Sequence, residues 1–98
     1  MARRFIIVSY DITDDRRRDR IVKTLMDYGD RVQYSVFCCQ VNRRELHRLK
    51  ELLRKRCEPN EDDRILFVDA GKVHSQKPRP EINYIGQEWS PRTRSQIL

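Results

Sequence analysis

An apolar, β-branched run that stops on an acid and turns at once into arginines constrains this chain most. It reads Phe5-Ile6-Ile7-Val8-Ser9-Tyr10-Asp11-Ile12, then Thr13-Asp14-Asp15, then Arg16-Arg17-Arg18-Asp19-Arg20. Ile6, Ile7 and Val8 in succession predict a strand buried on both faces, hence a central strand over Arg3–Asp11. Phe5, Ile7, Ser9 and Asp11 then share one face, and Asp11 stands where the strand leaves the sheet. A carboxylate delivered to a surface beside concentrated positive charge can hold a metal ion and a phosphate. A strand followed by an Asx turn and a solvated basic helix accounts for the same residues.

The elements after it follow from periodicity and caps. Thr13 or Asp14 can cap a first helix whose apolar stripe is Ile21, Val22, Leu25, Met26 and Tyr28, with Met26 read as core and Gly29 as a left-handed helix end. Arg31–Val41 is strand-rich, and a break near Ser35 makes it two strands. Asn42 and Glu45 form a capping-box pair ahead of a second helix striped by Leu46, Leu49, Leu52 and Leu53. An acidic turn-rich loop, Glu58–Asp63, leads to a strand over Arg64–Asp69. Residues 70–80 read as a linker, Glu81–Gly86 as a short terminal strand and residues 87–98 as a flexible tail, with Trp89 a possible anchor. The expected fold is α+β, a ferredoxin-like βαββαβ sandwich with an additional C-terminal strand, forming one domain over residues 1–86.

Charge narrows the function classes. Twenty-one Lys and Arg against 15 Asp and Glu give a net charge of +6 in 98 residues. That excess favours nucleic acid or another anionic surface. So small a domain also makes a homodimer or larger complex reasonable. Cys38, Cys39 and Cys57 do not make a disulfide framework, and the absence of a secretory signal or membrane-length apolar run points to a cytoplasmic protein without a membrane partner. Asp11 alone is a thin metal site, but magnesium keeps several waters and two copies of Asp11 across a dimer would improve it. Arg17, Arg18 and Arg31 offer forked donors for phosphate. Tyr10 and Phe37 can support or stack on a substrate, although strand aromatics are mostly core. Ser35 suits a turn better than a nucleophile, because no paired base is visible.

Three segments taken together resemble the CRISPR-associated protein two family: Val8-Ser9-Tyr10-Asp11-Ile12, Asp14-Asp15-Arg16-Arg17-Arg18, and Gln33-Tyr34-Ser35-Val36-Phe37. Their order, spacing and total length match over roughly residues 4–86, as does the strand after the acidic loop. The resemblance implies a βαββαβ homodimer whose extra strand can cross between protomers. It implies a magnesium-dependent endonuclease, with manganese a possible substitute, cutting RNA or double-stranded DNA. Asp11 would be the catalytic metal ligand, one from each protomer. Arg17, Arg18, Ser35 and Phe37 would match the family's site residues. It also implies a DNA-binding scaffold role with the CRISPR integrase subunit during spacer acquisition, in which nuclease chemistry can be dispensable. A toxin-like ribonuclease of related fold is the third reading.

Overall fold

The computed structural model describes residues 2–76 and 80–89. Strand β1 (Arg4–Asp11) is followed by helix α1 (Asp15–Met26), strands β2 (Gly29–Gln33) and β3 (Val36–Val41), helix α2 (Arg43–Arg56), a 3-10 turn (Pro59–Glu61) and strand β4 (Arg64–Lys72). The four strands form one antiparallel sheet in the order β2-β3-β1-β4, which is the ferredoxin-like arrangement. The apolar run therefore builds the central strand, paired with β3 on one side and β4 on the other.

One sheet face carries the core. Ile6, Val8 and Tyr10 of β1 and Phe37, Cys39 and Val41 of β3 pack with Ile21, Val22, Leu25, Leu49 and Leu53 of the helices. The helices form because their stripes are capped. Asp14 is the α1 N-cap and accepts from the Arg17 amide, while Asn42 and Glu45 close a full capping box on α2. Each such cap contributes about 1 kcal/mol.

The opposite face takes the alternate residues: Ile7, Ser9 and Asp11 of β1, Val36 and Cys38 of β3, and Leu66 and Val68 of β4, by the pairings Ile7↔Cys38, Ile7↔Val68, Ser9↔Val36 and Ser9↔Leu66. Leu66 and Val68 lie bare there, 59% and 46% exposed.

Four local expectations are corrected. Met26 is surface-exposed, because its position at the end of α1 lies past the core. Helix α1 ends on Asp27 in a right-handed conformation, and Gly29 instead opens β2. Glycine is required there by close approach: a Cβ would lie 2.3 Å from the Cys38 carbonyl oxygen. Strand β4 runs to Lys72, into the stretch read as linker, because a register shift between Arg4 and Ile6 lets Lys72 resume pairing with Arg4. Asp69 steadies that irregularity by accepting from Arg4 Nε (2.7 Å) and the Gly71 amide (2.9 Å). Finally, residues 81–86 pair with neither sheet edge of the single chain. Ile82 and Tyr84 instead line a groove of about 700 Å³ beside β2, with Met26, Cys38 and Trp89 among its walls. The Tyr84 hydroxyl donates to the Val32 carbonyl. Residues 90–98 of the expected tail and 77–79 of the linker lie outside the described residues.

Candidate active site

Asp11 is the last residue of β1 and is exposed. Its carboxylate holds no hydrogen bond or ion pair among the described residues, so its oxygens are available to a ligand. The central strand, locked between two neighbours, fixes where that carboxylate stands.

The β2–β3 hairpin closes beside it. Gln33 pairs with Val36, leaving Tyr34 and Ser35 as the turn. Two-residue hairpin turns usually need positive φ values, supplied by Gly or Asn. Neither turn residue has one, and the ladder slips between Arg31 and Gln33. Side chains hold the turn instead. The Tyr34 carbonyl accepts from the Tyr10 hydroxyl at 2.8 Å and from Arg31 Nε at 3.0 Å. Arg31 Nη2 also reaches that carbonyl and donates to the Tyr10 oxygen at 3.2 Å. The Ser35 carbonyl accepts from the Tyr10 amide at 3.1 Å. Burial pushes the Tyr10 phenol above its ordinary pKa, with Arg31 opposing, so the hydroxyl keeps the proton it donates.

Arg31 lies within reach of three rings: Trp89 at 5.1 Å, Tyr34 at 5.3 Å and Phe37 at 5.9 Å from the guanidinium carbon. Its Nη1 is buried with no acceptor among the described residues. Phe37 is fully buried and stands 6.3 Å from the Tyr10 ring, centroid to centroid. Tyr10 and Phe37 are thus core supports of the turn. Ser35 contributes its main chain.

The arginines of α1 separate. Arg18 Nη1 donates to the Ile12 carbonyl at 2.9 Å, next to Asp11, and its other terminal nitrogen pairs with Asp15. The Asp15 hydrogen bond is the main cause that raises the Arg18 guanidinium above its ordinary pKa, with burial opposing. Arg17 turns to the opposite task. Its Nε and Nη2 grip Asp63 at 2.8 and 3.1 Å, and the Asp63 side chain is fully buried. Asp63 also accepts from the Glu58 amide at 2.9 Å. The Arg17 hydrogen bond is the main reason its carboxyl lies below the usual carboxylate range. The sequence reading did not single out Asp63 or Tyr34. Tyr34 was legible only as part of a motif, and Asp63 as part of an acidic loop.

The fit to a divalent cation is that of a single open carboxylate. No group of three or more potential ligands occurs among the described residues. Such a site suits magnesium held largely by water and substrate phosphate rather than by a protein cage.

A family model described as CRISPR associated protein Cas2 matches residues 4–77. The chain belongs to the Cas2 family. A CRISPR-associated endoribonuclease Cas2 of Chloroflexus aurantiacus is 50% identical over 58 residues, a match spanning 59% of this chain and 62% of that protein. A CRISPR-associated endonuclease Cas2 of Thermus thermophilus is 36% identical over 87 residues, covering 87% of this chain and 97% of the relative. Among solved structures, a hypothetical protein, TT1823, from Thermus thermophilus superposes with a TM-score of 0.74 at 29% identity, covering 91% of this chain and 98% of the other. Streptococcus pyogenes Cas2 gives a TM-score of 0.65 at 28% identity over 81% of this chain and 99% of its own. No described helix is long and apolar enough to cross a membrane.

Proposed function

We propose that this Cas2-family chain is a metal-dependent endonuclease that hydrolyses phosphodiester bonds in RNA or double-stranded DNA. The observation that carries this reading is the unengaged Asp11 carboxylate at the end of the central strand, with Arg18 at the adjoining helix entry. Asp11 would hold Mg²⁺, or Mn²⁺ in its place. When bound, the cation would supply Lewis-acid polarisation of a phosphoryl oxygen. Arg18 orients the phosphate through a guanidinium already steadied by the Ile12 carbonyl and Asp15. Tyr10 and Arg31 keep the hairpin turn at a fixed distance from Asp11, so that substrate meets a preformed surface. Arg17 acts one step back, seating the first turn of α1 against the loop before β4.

The working form is a homodimer. Asp11 shares its sheet face with Ile7, Leu66 and Val68, and burying that apolar strip against a second copy puts both Asp11 residues on facing surfaces. Each exposed leucine or valine so covered contributes about 1–2 kcal/mol. Residues 81–86, unpaired in the single chain, are then free to add to a partner's edge.

A second reading has its own observation. The exposed side of α2 presents Arg43, Arg44, Arg48, Arg54 and Lys55, and no acidic cluster that could hold a metal occurs among the described residues. A basic helix face and a lone carboxylate suit a DNA-binding scaffold for the CRISPR integrase subunit during spacer acquisition. The test compares wild type with Asp11→Ala and Asp11→Asn on labelled single-stranded RNA and duplex DNA, with magnesium, manganese or chelator. Metal-dependent cutting lost in both variants supports the nuclease. Unchanged cutting refutes it, and DNA binding without cutting by any form leaves the scaffold.

A further inference from the structure

The geometry points to Tyr84 and Trp89 as positioning residues that splint the β2–β3 hairpin and, through Arg31, set the turn bonded to Tyr10. Their part in catalysis rests on the nuclease reading of Asp11, the residue that follows Tyr10 in the chain. The hairpin ladder slips between Arg31 and Gln33, and Val32 has no partner in the register with β3. Such an irregularity leaves main-chain groups unpaired and bends the strand that carries it. Residues 80–89 supply support that the ladder lacks, although they form no helix or strand themselves. The Tyr84 hydroxyl donates to the Val32 carbonyl. The Trp89 ring lies 5.1 Å from the Arg31 guanidinium carbon. Gln33 lines a hollow with Tyr84, Gln87, Glu88 and Trp89. Arg31, Val32 and Gln33, which lead into the turn, thus all meet the same C-terminal segment.

Arg31 spends Nε and Nη2 on the Tyr34 carbonyl, and Nη2 also on the Tyr10 oxygen. Such a fork holds its acceptors best where water cannot compete for them. Its Nη1 is buried without an acceptor among the described residues. A buried donor in that state is costly, and an aromatic face over the cation offsets part of the cost. Of the rings around Arg31, Phe37 is fully buried core and Tyr34 belongs to the turn itself. Trp89 comes from a distant part of the chain, so its contact depends on where residues 80–89 lie. Gly86 shapes that approach: between Tyr84 and Trp89 it takes φ +90°, a bend that residues with a Cβ rarely adopt. The route from the turn to the acid runs through Tyr10. Its amide donates to the Ser35 carbonyl at 3.1 Å and its hydroxyl to the Tyr34 carbonyl at 2.8 Å. A turn that shifts therefore pulls on the strand residue just before Asp11. Both splinting contacts use side chains, which leaves the main chain of residues 81–86 open to a second copy.

Hydrogen–deuterium exchange on the full chain, followed by mass spectrometry, reads the hairpin without any cutting. Trp89→Leu removes the π face and should speed exchange over residues 29–36 about tenfold, while α2 exchanges like wild type. Trp89→Phe should restore most of the protection, since it keeps a ring for Arg31. Tyr84→Phe deletes the hydroxyl alone. It should loosen the same residues and shift the emission of Trp89, the chain's one tryptophan, to the red. On whichever of RNA and duplex DNA the wild type cuts, Trp89→Leu should lower kcat about tenfold and leave KM unchanged. Wild-type exchange in the hairpin of Trp89→Leu overturns the proposal. So does faster exchange spread equally over α2, which would mean a general loss of stability, and so does Trp89→Phe behaving like Trp89→Leu. An unchanged kcat beside a loosened hairpin overturns the positioning role. Should Trp89→Leu fail to fold, the near-isosteric Tyr84→Phe must show the local loosening by itself. Continued cleavage by Asp11→Asn would sink the nuclease reading while the exchange result stands or falls separately.

Discussion

Replacing Asp63 by alanine removes the anchor that seats α1 on the loop before β4. Three donors converge on that carboxylate: Arg17 Nε at 2.8 Å, Arg17 Nη2 at 3.1 Å and the Glu58 amide at 2.9 Å. The side chain they hold is fully buried, whereas that of Arg17 keeps 20% of its surface. Breaking a buried ion pair by deleting one partner costs about 3–5 kcal/mol. Arg17 can recover part of its hydration, so we expect about 3 kcal/mol for Asp63→Ala. With a urea m-value of about 1.5 kcal/mol/M for a chain this size, the midpoint falls by about 2 M. The assay is urea unfolding by circular dichroism at one protein concentration, since a dimer's midpoint depends on it. The pH dependence has a fixed sign. The folded carboxyl titrates below its unfolded value of about 3.9, so the contribution is complete above that pH and is lost as pH falls through the lower folded pKa. Wild type and Asp63→Ala should therefore differ fully at neutral pH and converge in acid. A difference under about 0.5 kcal/mol at neutral pH, the usual size for surface changes, would refute the reasoning and return Arg17 to the set of free phosphate ligands.

Other residues yield shorter tests. Gly29→Ala should destabilise by about 3 kcal/mol in the same unfolding assay, because its Cβ meets the main chain of β3, which cannot step aside. Leu66→Asp with Val68→Lys should shift the protein from dimer to monomer in sedimentation velocity, and an unchanged dimer would exclude that face. Asn42→Ala should cost about 1 kcal/mol through loss of the α2 capping box. Burial pushes the Cys39 thiol up to about 12, so Cys39 should resist a thiol reagent at neutral pH in the folded chain and react fully in denaturant.

Wherever one residue type had one task, the fold could be read directly. The triple-apolar run gave a central strand, and β1 is central, but the helices cover only one of its faces: Ile7, on the other face, is half-buried in the single chain. Asn42 and Glu45 declared the start of α2. Two strands around Ser35 followed from the need for a tight connection, and the structure has them. Asp11 was legible as a strand-ending acid. Arginine was not legible in the same way, since every arginine offers the same fork until its partner is known. Arg17 and Arg18 are neighbours in sequence, yet one grips a buried carboxylate distant in the chain and the other stays beside Asp11. Gly29 misled for a related reason: a glycine after a helical stripe commonly supplies positive φ, but here the close passage of β3 uses its missing side chain.

That sorting of arginines bears on how the site can work. A phosphate ligand must be charged, near the metal-holding acid and not already committed. Arg17 fails the last condition. Arg31 spends Nε and Nη2 on the turn, and its Nη1 is covered. Arg18 meets the first two conditions and commits part of its fork to Ile12 and Asp15. The Asp15 contact is at the surface, where an ion pair is worth little, so a substrate phosphate can displace it. Arg18→Ala should therefore weaken nucleic-acid binding and reduce its salt dependence by about one unit of slope for the lost phosphate contact. Arg31→Ala should act differently. It releases the Tyr34 carbonyl and leaves the Tyr10 hydroxyl as the turn's remaining side-chain clamp among the described residues. Its effect should appear as lost stability, with the salt slope unchanged. Titrating binding against salt for both variants separates the two roles, and a reduced slope for Arg31→Ala would make it a phosphate ligand after all.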